Sequence, residues 1–529
     1  MPVWPKSFYT IRADLHTAAM ARRLRRPSTG VAAQETAWQA LRDQLAATSY
    51  WKSAGVERGM TYAQFRTRVA PRDHASLAPA VARMTAGDKD VLWPGECVLF
   101  AQSAGTTSGR RRLMPATEAL LAHYRAAGHA ALLHYTARVG HAGVFRGRHL
   151  LVGGCARLVP LKDGAPTPRF AGDASGLAEL SLPAWVERHL YEPGLAVAQT
   201  DDWPERLERM AQRTRGRDLS LIAGLPEGLL QLAHAVQDAG AGPKHRVLNL
   251  EAVWPNLECC VHTGSLLAPY HEELRALLGP SVAFQEVLAA TEGILAAQDG
   301  EPGAGLRLFT DVGIFFEFLP RAEYDGGRLE SLGPRLLPLA EVKSGAEYVV
   351  FVTTPGGLAR IPLGDVVRFL SVQPPRVVWV GRTDLQLSPF GERLSEVQVT
   401  RALVAVCERQ KWSIVNFHVA PLGGGDLTGH AHGRHEWWIE LRPGTVATPT
   451  GPQMAQQLDA ELLAISEDYA ARRRDGSLDA PLVRLVMPGV FAHWLRYRQQ
   501  WGGLHKVPRC RSDRLLADEL SQVTNFASE

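Results

Sequence analysis

The stretch QSAGTTSGRRR, residues 102–112, joins an apolar run to a helical pattern and decides how the first part of the chain is organised. Residues 97–101 are typical of a buried strand, and residues 116–139 have helical spacing with Thr117 as N-cap. The stretch is therefore predicted at a strand-to-helix corner. Its glycines let backbone amides turn inward, its hydroxyls donate hydrogen bonds and its arginines carry permanent charge, a combination that suits a polyphosphate.

These residues alone leave a second interpretation open. Clusters of Gly, Ser and Thr are usually plain turns, so a surface loop without a ligand also fits. A Walker loop does not fit, because no lysine follows Gly109 at the required spacing.

Further motifs follow the loop in a fixed order. They are ATEG (290–293), GLARIPLGDVV (357–367), GRTD (381–384), GERLSE (391–396) and LHKVPRC (504–510). In this order they resemble the adenylate-forming superfamily, and most closely its Gretchen Hagen branch, the acyl acid amido synthetases typified by plant auxin- and jasmonate-conjugating enzymes. VWPN (253–256) and HTG (262–264) are similar to the same branch. The resemblance covers roughly residues 90–512, and several ordered motifs are more specific than any one of them.

The resemblance implies that the loop binds the β- and γ-phosphates of ATP. The residues it assigns to this contact are Ser103, Gly105, Thr106, Thr107, Ser108 and Arg112. Arg112 stands at the family's basic position and keeps its charge. Ala104 replaces a residue that usually carries a hydroxyl, which removes one expected phosphate contact.

The ATEG motif is assigned the metal and the α-phosphate. Glu292 is the expected Mg²⁺ ligand, because Mg²⁺ takes hard oxygen ligands and commonly one carboxylate plus phosphates. The resemblance implies that Thr291 contacts the α-phosphate and that Leu288 contacts the adenine. At the position of Leu288 the family usually has an aromatic residue. Without that context, Thr-Glu-Gly is more often a turn.

The resemblance implies that the motif at 357–367 binds the ribose. Asp365 resembles the carboxylate that accepts hydrogen bonds from both ribose hydroxyls, and an ionised carboxylate is purely an acceptor. Pro362 replaces a family arginine, so Arg360 is expected to keep that nucleotide-facing charge alone. A hairpin turn is the alternative for Gly364-Asp365.

The last motifs are assigned to a movable second domain. The resemblance implies that Arg382 contacts the nucleotide, that Asp384 is the hinge and that Lys506 bridges the acid's carboxylate and the α-phosphate. Only eight of the 58 basic residues are lysines, which favours a specific need for a compact ammonium group at position 506. A surface ion pair and a solvated lysine are the alternatives.

Length and composition predict two domains. Strand-like runs alternate with helical ones at 150–153, 184–190, 219–223, 228–236 and 257–261, which indicates α/β layers. Short strands from 306 to 380 predict a β-rich subregion. We expect a large layered α/β domain at 1–382, which binds ATP and the acyl acid, and a small mobile α+β lid domain at 383–529. In the lid, a helix at 395–409, paired strands at 412–419 and 437–441, and a helix at 454–470 are expected.

Charge and cysteine content narrow the class of protein. A net charge of +4 is too mild to predict nucleic-acid binding, and the basic run at 22–26 is interpreted as a solvated helix face. Six cysteines without a CxxC pair predict reduced thiols, and the absence of a signal-peptide core or a membrane span predicts a cytoplasmic protein without a membrane partner. The histidines at 430–435 lack partners at metal-ligand spacing and predict a solvent loop.

The function predicted from these motifs is ATP-dependent amide synthesis between a carboxylic acid and an amino acid or other amine, with Mg²⁺ as cofactor. The motifs do not separate this from acyl-coenzyme A ligation. The third hypothesis is a catalytically degenerate binding protein of the same fold, because Ala104, Leu288 and Pro362 each remove a family contact.

Overall fold

The computed structural model describes residues 4–26, 28–102, 112–161, 167–240, 249–324, 327–423, 432–444, 448–504 and 506–526. The α-helices of these ranges are α1 Lys6–Leu24, α2 Val31–Leu45, α3 Ser49–Ser53, α4 Tyr62–Arg68, α5 His74–Ala86, α6 Glu118–Val139, α7 Ala174–Leu180, α8 Ala184–His189, α9 Leu195–Ala198, α10 Trp203–Thr214, α11 Pro226–Gly240, α12 His271–Leu278, α13 Glu396–Gln410, α14 Gly451–Ile465, α15 Glu467–Arg474, α16 Val490–Tyr497 and α17 Leu515–Phe526.

The strands are β1 Leu99–Gln102, β2 Leu113–Pro115, β3 Arg148–Val152, β4 Val159–Pro160, β5 Phe170–Asp173, β6 Tyr191–Glu192, β7 Leu219–Gly224, β8 Cys259–Thr263, β9 Ala283–Ala290, β10 Gly293–Gln298, β11 Leu306–Leu308, β12 Phe315–Pro320, β13 Leu337–Pro338, β14 Glu347–Thr353, β15 Ile361–Val372, β16 Pro375–Arg382, β17 Gln386–Leu387, β18 Leu394–Ser395, β19 Ile414–Leu422, β20 Arg434–Leu441 and β21 Leu482–Leu485.

One twelve-stranded sheet organises the first part of the chain, in the order β13-β12-β14-β15-β16-β11-β10-β9-β8-β7-β3-β6. Strands β6, β3, β7, β8 and β9 pair in parallel. From β9 to β11, and on to β16, the pairing is antiparallel. The predicted β-rich subregion is confirmed, and it continues the parallel sheet instead of forming a separate one.

Sequence runs explain the two halves of this sheet. Strand β7 has the sequence LSLIAG and is buried along most of its length, as expected for a parallel strand covered on both faces. On the antiparallel half, Phe316, Phe318, Tyr348 and Phe369 pack into one aromatic and aliphatic cluster. The helical prediction at 116–139 is confirmed as α6, because the Thr117 hydroxyl accepts a hydrogen bond from the Leu120 amide at 3.1 Å.

A smaller sheet contains the strands on either side of the predicted phosphate-binding stretch, whose residues 103–111 lie outside the described ones. Strands β1, β2, β4 and β5 form this four-stranded sheet in the order β2-β1-β5-β4. Helices α2, α4 and α5 contribute Trp38, Phe65 and Leu77 to the core that contains Phe100 of β1. The strand predicted at 97–101 is confirmed as β1, displaced by one or two residues.

The chain divides into two compact units. The second consists of Leu266–Arg275 and Val380–Glu529, and Trp379 is the last residue of the first. The predicted boundary between residues 382 and 383 lies three residues beyond Trp379. The α/β fold with a further α+β unit is as predicted from the sequence.

The second unit is an α+β structure around the sheet β19-β20-β21. Helices α13 and α14 bury Val399, Leu403 and Leu458 against Phe417 and Trp437 of the sheet. The predicted helix at 395–409 and the predicted strand pair are confirmed as α13 and the antiparallel β19–β20 ladder.

Two details of this unit differ from prediction. The helix expected at 454–470 is wrong as a single element, because Ser466 has φ of −138° and its hydroxyl caps α15 by accepting from the Tyr469 amide. The loop expected at 430–435 is wrong at its end, since β20 begins at Arg434 and buried His435 contacts Glu392 at 2.9 Å. Residues 430 and 431 lie outside the described residues.

Among the helices of the described ranges, none combines the length and the apolar content needed to cross a membrane.

Candidate active site

Thr291 and Glu292 form the two-residue turn between β9 and β10, where Ala290 pairs with Gly293. Tyr124 of α6 donates its hydroxyl hydrogen to the Thr291 carbonyl. His123 accepts a hydrogen bond from the Ile294 amide at 3.0 Å through Nε2, so its proton is on Nδ1, which donates to the Val312 carbonyl at 2.7 Å. Burial lowers the pKa of His123, which agrees with this neutral form. The turn is therefore fixed from α6.

Gly293 cannot carry a side chain in this turn. An ideal Cβ would lie 2.3 Å from Ile314 Cδ1 and 2.8 Å from His123 Nε2. The close approach of α6 to the turn thus requires the glycine of the ATEG motif.

His74 holds the Glu292 side chain. Its Nε2 lies 2.8 Å from Glu292 Oε1, and the two side chains are 15% and 14% exposed. His74 is the first residue of α5, whose capping box joins Asp73 and Ser76. Glu292 thus has one oxygen fixed by a neighbour while the side chain stays partly accessible, as a metal-binding carboxylate requires.

No motif in the sequence predicts His74 as a site residue. It lies 218 residues before Glu292, and no spacing rule joins residues that far apart. The Asp73-to-Ser76 capping pattern could have placed it in the first turn of a helix, but not beside this carboxylate.

Asp365 is buried in β15, next to an irregularity in its pairing with β14. Gly364 has φ of +78°, which suits a bulge that redirects the following side chain. The Trp379 indole of β16 donates to Asp365 Oδ1 at 3.1 Å. The carboxylate is therefore held as a hydrogen-bond acceptor, and its predicted contact with a ribose stays a prediction.

Arg360 corrects the sequence interpretation. Its guanidinium is fully buried and forms a bidentate ion pair with Glu317 at 3.0 and 2.9 Å. The remaining donors bond to backbone carbonyls, including that of Gly333 at 2.7 Å and that of Val69. Protein groups enclose the whole guanidinium, so the expectation that Arg360 faces the nucleotide is wrong.

Lys506 belongs to the second unit, in a segment that continues as an extra edge beside β19. His418 Nδ1 donates to the Pro508 carbonyl at 2.7 Å, and the Val419 amide donates to the Arg509 carbonyl at 2.9 Å. Cys510 forms an isolated parallel bridge with Val419. The Lys506 side chain is half-buried. His418 is likewise not predicted from the sequence, because only the fold shows which backbone atom it contacts.

Arg509 anchors the same segment through its side chain. It donates to the Asn416 side-chain oxygen at 2.5 Å and to the Tyr270 hydroxyl at 2.6 Å. Its guanidinium also lies 4.9 Å from the centre of the Phe417 ring. The contacts of Arg509 are therefore structural, and the role predicted for Lys506 stays a prediction.

The predicted hinge is linked to this segment within the second unit. Asp384 is exposed and accepts from the Thr383 hydroxyl at 3.3 Å. Just after it, the Leu385 carbonyl accepts from the Cys510 thiol at 3.2 Å, and the Gln386 carbonyl accepts from the Ser512 hydroxyl at 2.6 Å. The residues after Asp384 and the residues after Lys506 thus form one connected structure.

The remaining predicted site residues are placed only in part. Ser103, Gly105, Thr106, Thr107 and Ser108 lie outside the described residues. Arg112 is exposed immediately before β2, and Arg382 ends β16.

Strand β9 and its turn bring together Leu288, Thr291 and Glu292. Half-buried Leu288 packs on the cluster of the antiparallel half. Strands β10, β11 and β16 separate β9 from the β15 strand of Asp365. The structure therefore joins three of the predicted residues directly and places Asp365 elsewhere on the same sheet.

Family models match the chain in three consecutive pieces. The GH3 family N-terminal domain matches residues 28–173, the GH3 family central domain 307–382 and the GH3 family C-terminal domain 397–515.

Two curated relatives and one solved structure are similar to the chain. A probable indole-3-acetic acid-amido synthetase of Oryza sativa subsp. japonica is 28% identical over 37% of this chain and 32% of its own length. A human GH3 domain-containing protein is 32% identical over 57% of each chain. The chain thus spans about a third and just over half of these relatives. The structure of an acyl acid amido synthetase in complex with 2,4-DB superposes with a TM-score of 0.76 at 15% identity, over 99% of this chain and 97% of that one.

Proposed function

Because the chain belongs to the GH3 family, we propose that it is an ATP-dependent acyl acid amido synthetase. It joins a carboxylic acid to AMP with release of pyrophosphate, and then transfers the acyl group to an amino acid or other amine with release of AMP. The names of the rice relative and of the superposed structure support this reaction class. Use of ATP and six cysteines without a disulfide fit the cytoplasm.

The observation that carries the proposal is the fixed Glu292 carboxylate at the β9–β10 turn. Its oxygens are hard ligands, and the His74 contact sets the orientation of the group, so the residue fits Mg²⁺. Bound Mg²⁺ would neutralise charge on the phosphates. The chain's own contribution here is to hold the carboxylate in place through His74 and the Thr291 carbonyl through Tyr124.

Asp365 and Lys506 complete the proposed assignment. Asp365, oriented by Trp379, accepts hydrogen bonds from the ribose hydroxyls. Lys506 places an ammonium between the acid's carboxylate and the α-phosphate and stabilises the negative charge as the anhydride forms. Arg112 and the loop before it bind the terminal phosphates, Leu288 contacts the adenine, Arg382 contacts the nucleotide and Asp384 serves as the hinge.

A pyrophosphate-release screen tests the proposal. Carboxylic acids are crossed with amino acids, other amines and coenzyme A in the presence of MgATP. Turnover that needs an amine and yields an amide is the expected result. Turnover that needs coenzyme A would replace the proposal with thioester ligation, and absence of both release and nucleotide binding would indicate a degenerate binding protein.

Glu292→Gln gives the matched test of the carboxylate. Pyrophosphate release should fall by about a hundredfold or more, because the amide no longer neutralises a cation. Glu301→Gln, at an exposed position in the loop after β10, is the control and should leave the rate unchanged. Equal rates in the two variants would contradict the assignment.

A further inference from the structure

Helix α1 has an exposed apolar stripe that the proposed reaction does not use. Trp4, Phe8, Ile11 and Leu15 are 56%, 49%, 63% and 66% exposed. Phe8, Ile11 and Leu15 are spaced three and four residues apart, which places them on one face of α1. Trp4 lies two residues before the helix, and its ring is 5.6 Å from that of Phe8. The stripe is thus one continuous surface and not four isolated side chains.

The opposite face of α1 is fixed to the protein. Ala13, Thr17 and Met20 are buried there, and the Thr17 hydroxyl donates to the Thr136 hydroxyl at 2.9 Å. Tyr9 stacks on Trp185 with ring centres 4.5 Å apart. The helix therefore cannot turn to bury the stripe without breaking these contacts.

Arginines follow the stripe toward the C-terminal end of α1. Arg22 lies on the same face as Leu15, with Ala18 between them at helical spacing, and Arg25 and Arg26 are exposed directly after the helix. Arg12 flanks the stripe, whereas Arg23 is paired with Asp311. Asp14 is the only acidic residue of α1. An apolar stripe that ends in arginines is complementary to a surface that has negatively charged groups outside and an apolar layer beneath them.

We propose that α1 lies on anionic lipid surfaces, with Trp4, Phe8, Ile11 and Leu15 in the interfacial region and the arginines at the headgroups. This is contact with one face of a membrane and not a span, in agreement with the helices described above. It departs from two expectations from the sequence, that the basic run is a solvated helix face and that the protein has no membrane partner, and both of these stay predictions.

A second copy of the chain fits the stripe less well. Four side chains at 49–66% exposure present roughly 400 Å² from each copy, so a symmetric pair would bury about 800 Å² in total, below the roughly 1,200–2,000 Å² of a stable interface. A parallel pairing would also bring the like-charged arginines of two copies near each other. An anionic lipid surface fits better on both points, because its acyl chains can bury the apolar stripe and its headgroups carry the negative charge that attracts the arginines.

Flotation of the full chain with vesicles tests the proposal. The vesicles are phosphatidylcholine alone or with about 30 mol% phosphatidylglycerol. The wild-type chain should float with the anionic vesicles and be released as salt is raised. Absence of binding to anionic vesicles would overturn the proposal.

Matched triple variants separate the stripe from general surface effects. Phe8→Ser with Ile11→Ser and Leu15→Ser should weaken binding at least about tenfold. The control carries Met487→Ser, Tyr497→Ser and Leu515→Ser, which are equally exposed apolar positions, and should bind as wild type. Arg22→Gln with Arg25→Gln and Arg26→Gln should weaken binding about tenfold or more on anionic vesicles. Equal binding by the stripe variant and its control would refute the proposal.

Light scattering on the same proteins measures whether two copies of the chain form a dimer through the stripe. The expected result is no change in mass between wild type and the stripe variant. A dimer of the wild type that the stripe substitutions dissociate, without vesicle binding, would assign the surface to self-association instead.

Discussion

The Glu292 turn and the Lys506 segment are held in place in different ways. At the turn, His74 contacts the Glu292 side chain itself, and Tyr124 donates a hydrogen bond to the carbonyl of the preceding residue, Thr291. In the Lys506 segment, the contacts of His418, Arg509 and Cys510 fix the backbone from Pro508 onward. One motif is anchored at its functional group and the other beside it.

This difference matches the chemistry proposed for each residue. A metal ligand works only in a defined orientation, so a carboxylate benefits from a neighbour on one oxygen. A lysine acts as a compact charge on a flexible stem, so a fixed backbone is enough to bring it within reach. We therefore expect substitutions around Glu292 to affect metal binding and substitutions around Lys506 to affect the rate.

The largest expected effect is that of Lys506→Ala. Adenylation should fall by about 10²–10³, because the charge that stabilises the reacting phosphate is lost. Nucleotide affinity should change by less than about threefold, since the proposed contact strengthens in the transition state. Pyrophosphate release and equilibrium nucleotide binding measure the two effects.

Lys343→Ala, at an exposed position in the first unit, is the control for the loss of a lysine. An adenylation rate that survives in Lys506→Ala would remove this residue from the mechanism.

The next effect is that of His74→Ala. Without the contact to Oε1, the Glu292 carboxylate loses the neighbour that orients this oxygen, and the Mg²⁺ concentration needed for half-maximal activity should rise about 10–100-fold. His74→Gln can place an amide donor near the former Nε2 position and should restore most of the affinity. A magnesium titration of pyrophosphate release measures both variants, and an identical requirement in wild type and His74→Ala would show that the contact is only structural.

A smaller effect is expected for His418→Ala. Loss of the hydrogen bond to the Pro508 carbonyl loosens the backbone two residues after Lys506, so kcat for adenylation should fall about tenfold while KM for ATP is unchanged. His418→Asn can place its amide nitrogen near the former Nδ1 position and should recover much of the rate. An effect on KM alone would mean that His418 acts elsewhere.

The smallest effect concerns acid stability. Burial lowers the pKa of His418 from 6.5 to about 4, so the folded protein binds fewer protons than the unfolded chain between these values. This contribution to stability is therefore complete above pH 6.5 and is lost as pH falls toward 4. Between pH 7.5 and 5.5 it should cost about 1 kcal/mol, and His418→Asn should show that much less loss in urea unfolding. Parallel pH curves for the two proteins would contradict the assignment.

Sequence patterns predicted the elements better than the contacts between them. The strand-and-helix alternation and the Thr117 cap follow from local periodicity and capping chemistry, and both are confirmed. The Ser466 break was available in principle, since Ser-Glu-Asp is a typical helix start. The helical spacing on either side of Ser466 conceals that signal.

The contacts depend on residues far apart in the chain. Arg360 follows a family motif, and nothing local reveals that Glu317 and the carbonyls of Val69 and Gly333 enclose it. His74 approaches Glu292 only because α5 packs near the β9–β10 turn. Such pairings are set by tertiary packing, and a single sequence does not record them.

The twelve-stranded sheet has a consequence for how this architecture could diversify. Strand β11 joins β16 through only two residue pairs, Leu306 with Val377 and Arg307 with Arg376. Strands β12 to β16 form a block on one side of this ladder and lie within the central family domain at 307–382, which also includes the last two residues of β11. We expect that a block attached through so short a ladder can be exchanged between homologues by recombination while the parallel half keeps its register. The ribose contact proposed for Asp365 would then be inherited independently of the Mg²⁺ contact proposed for Glu292.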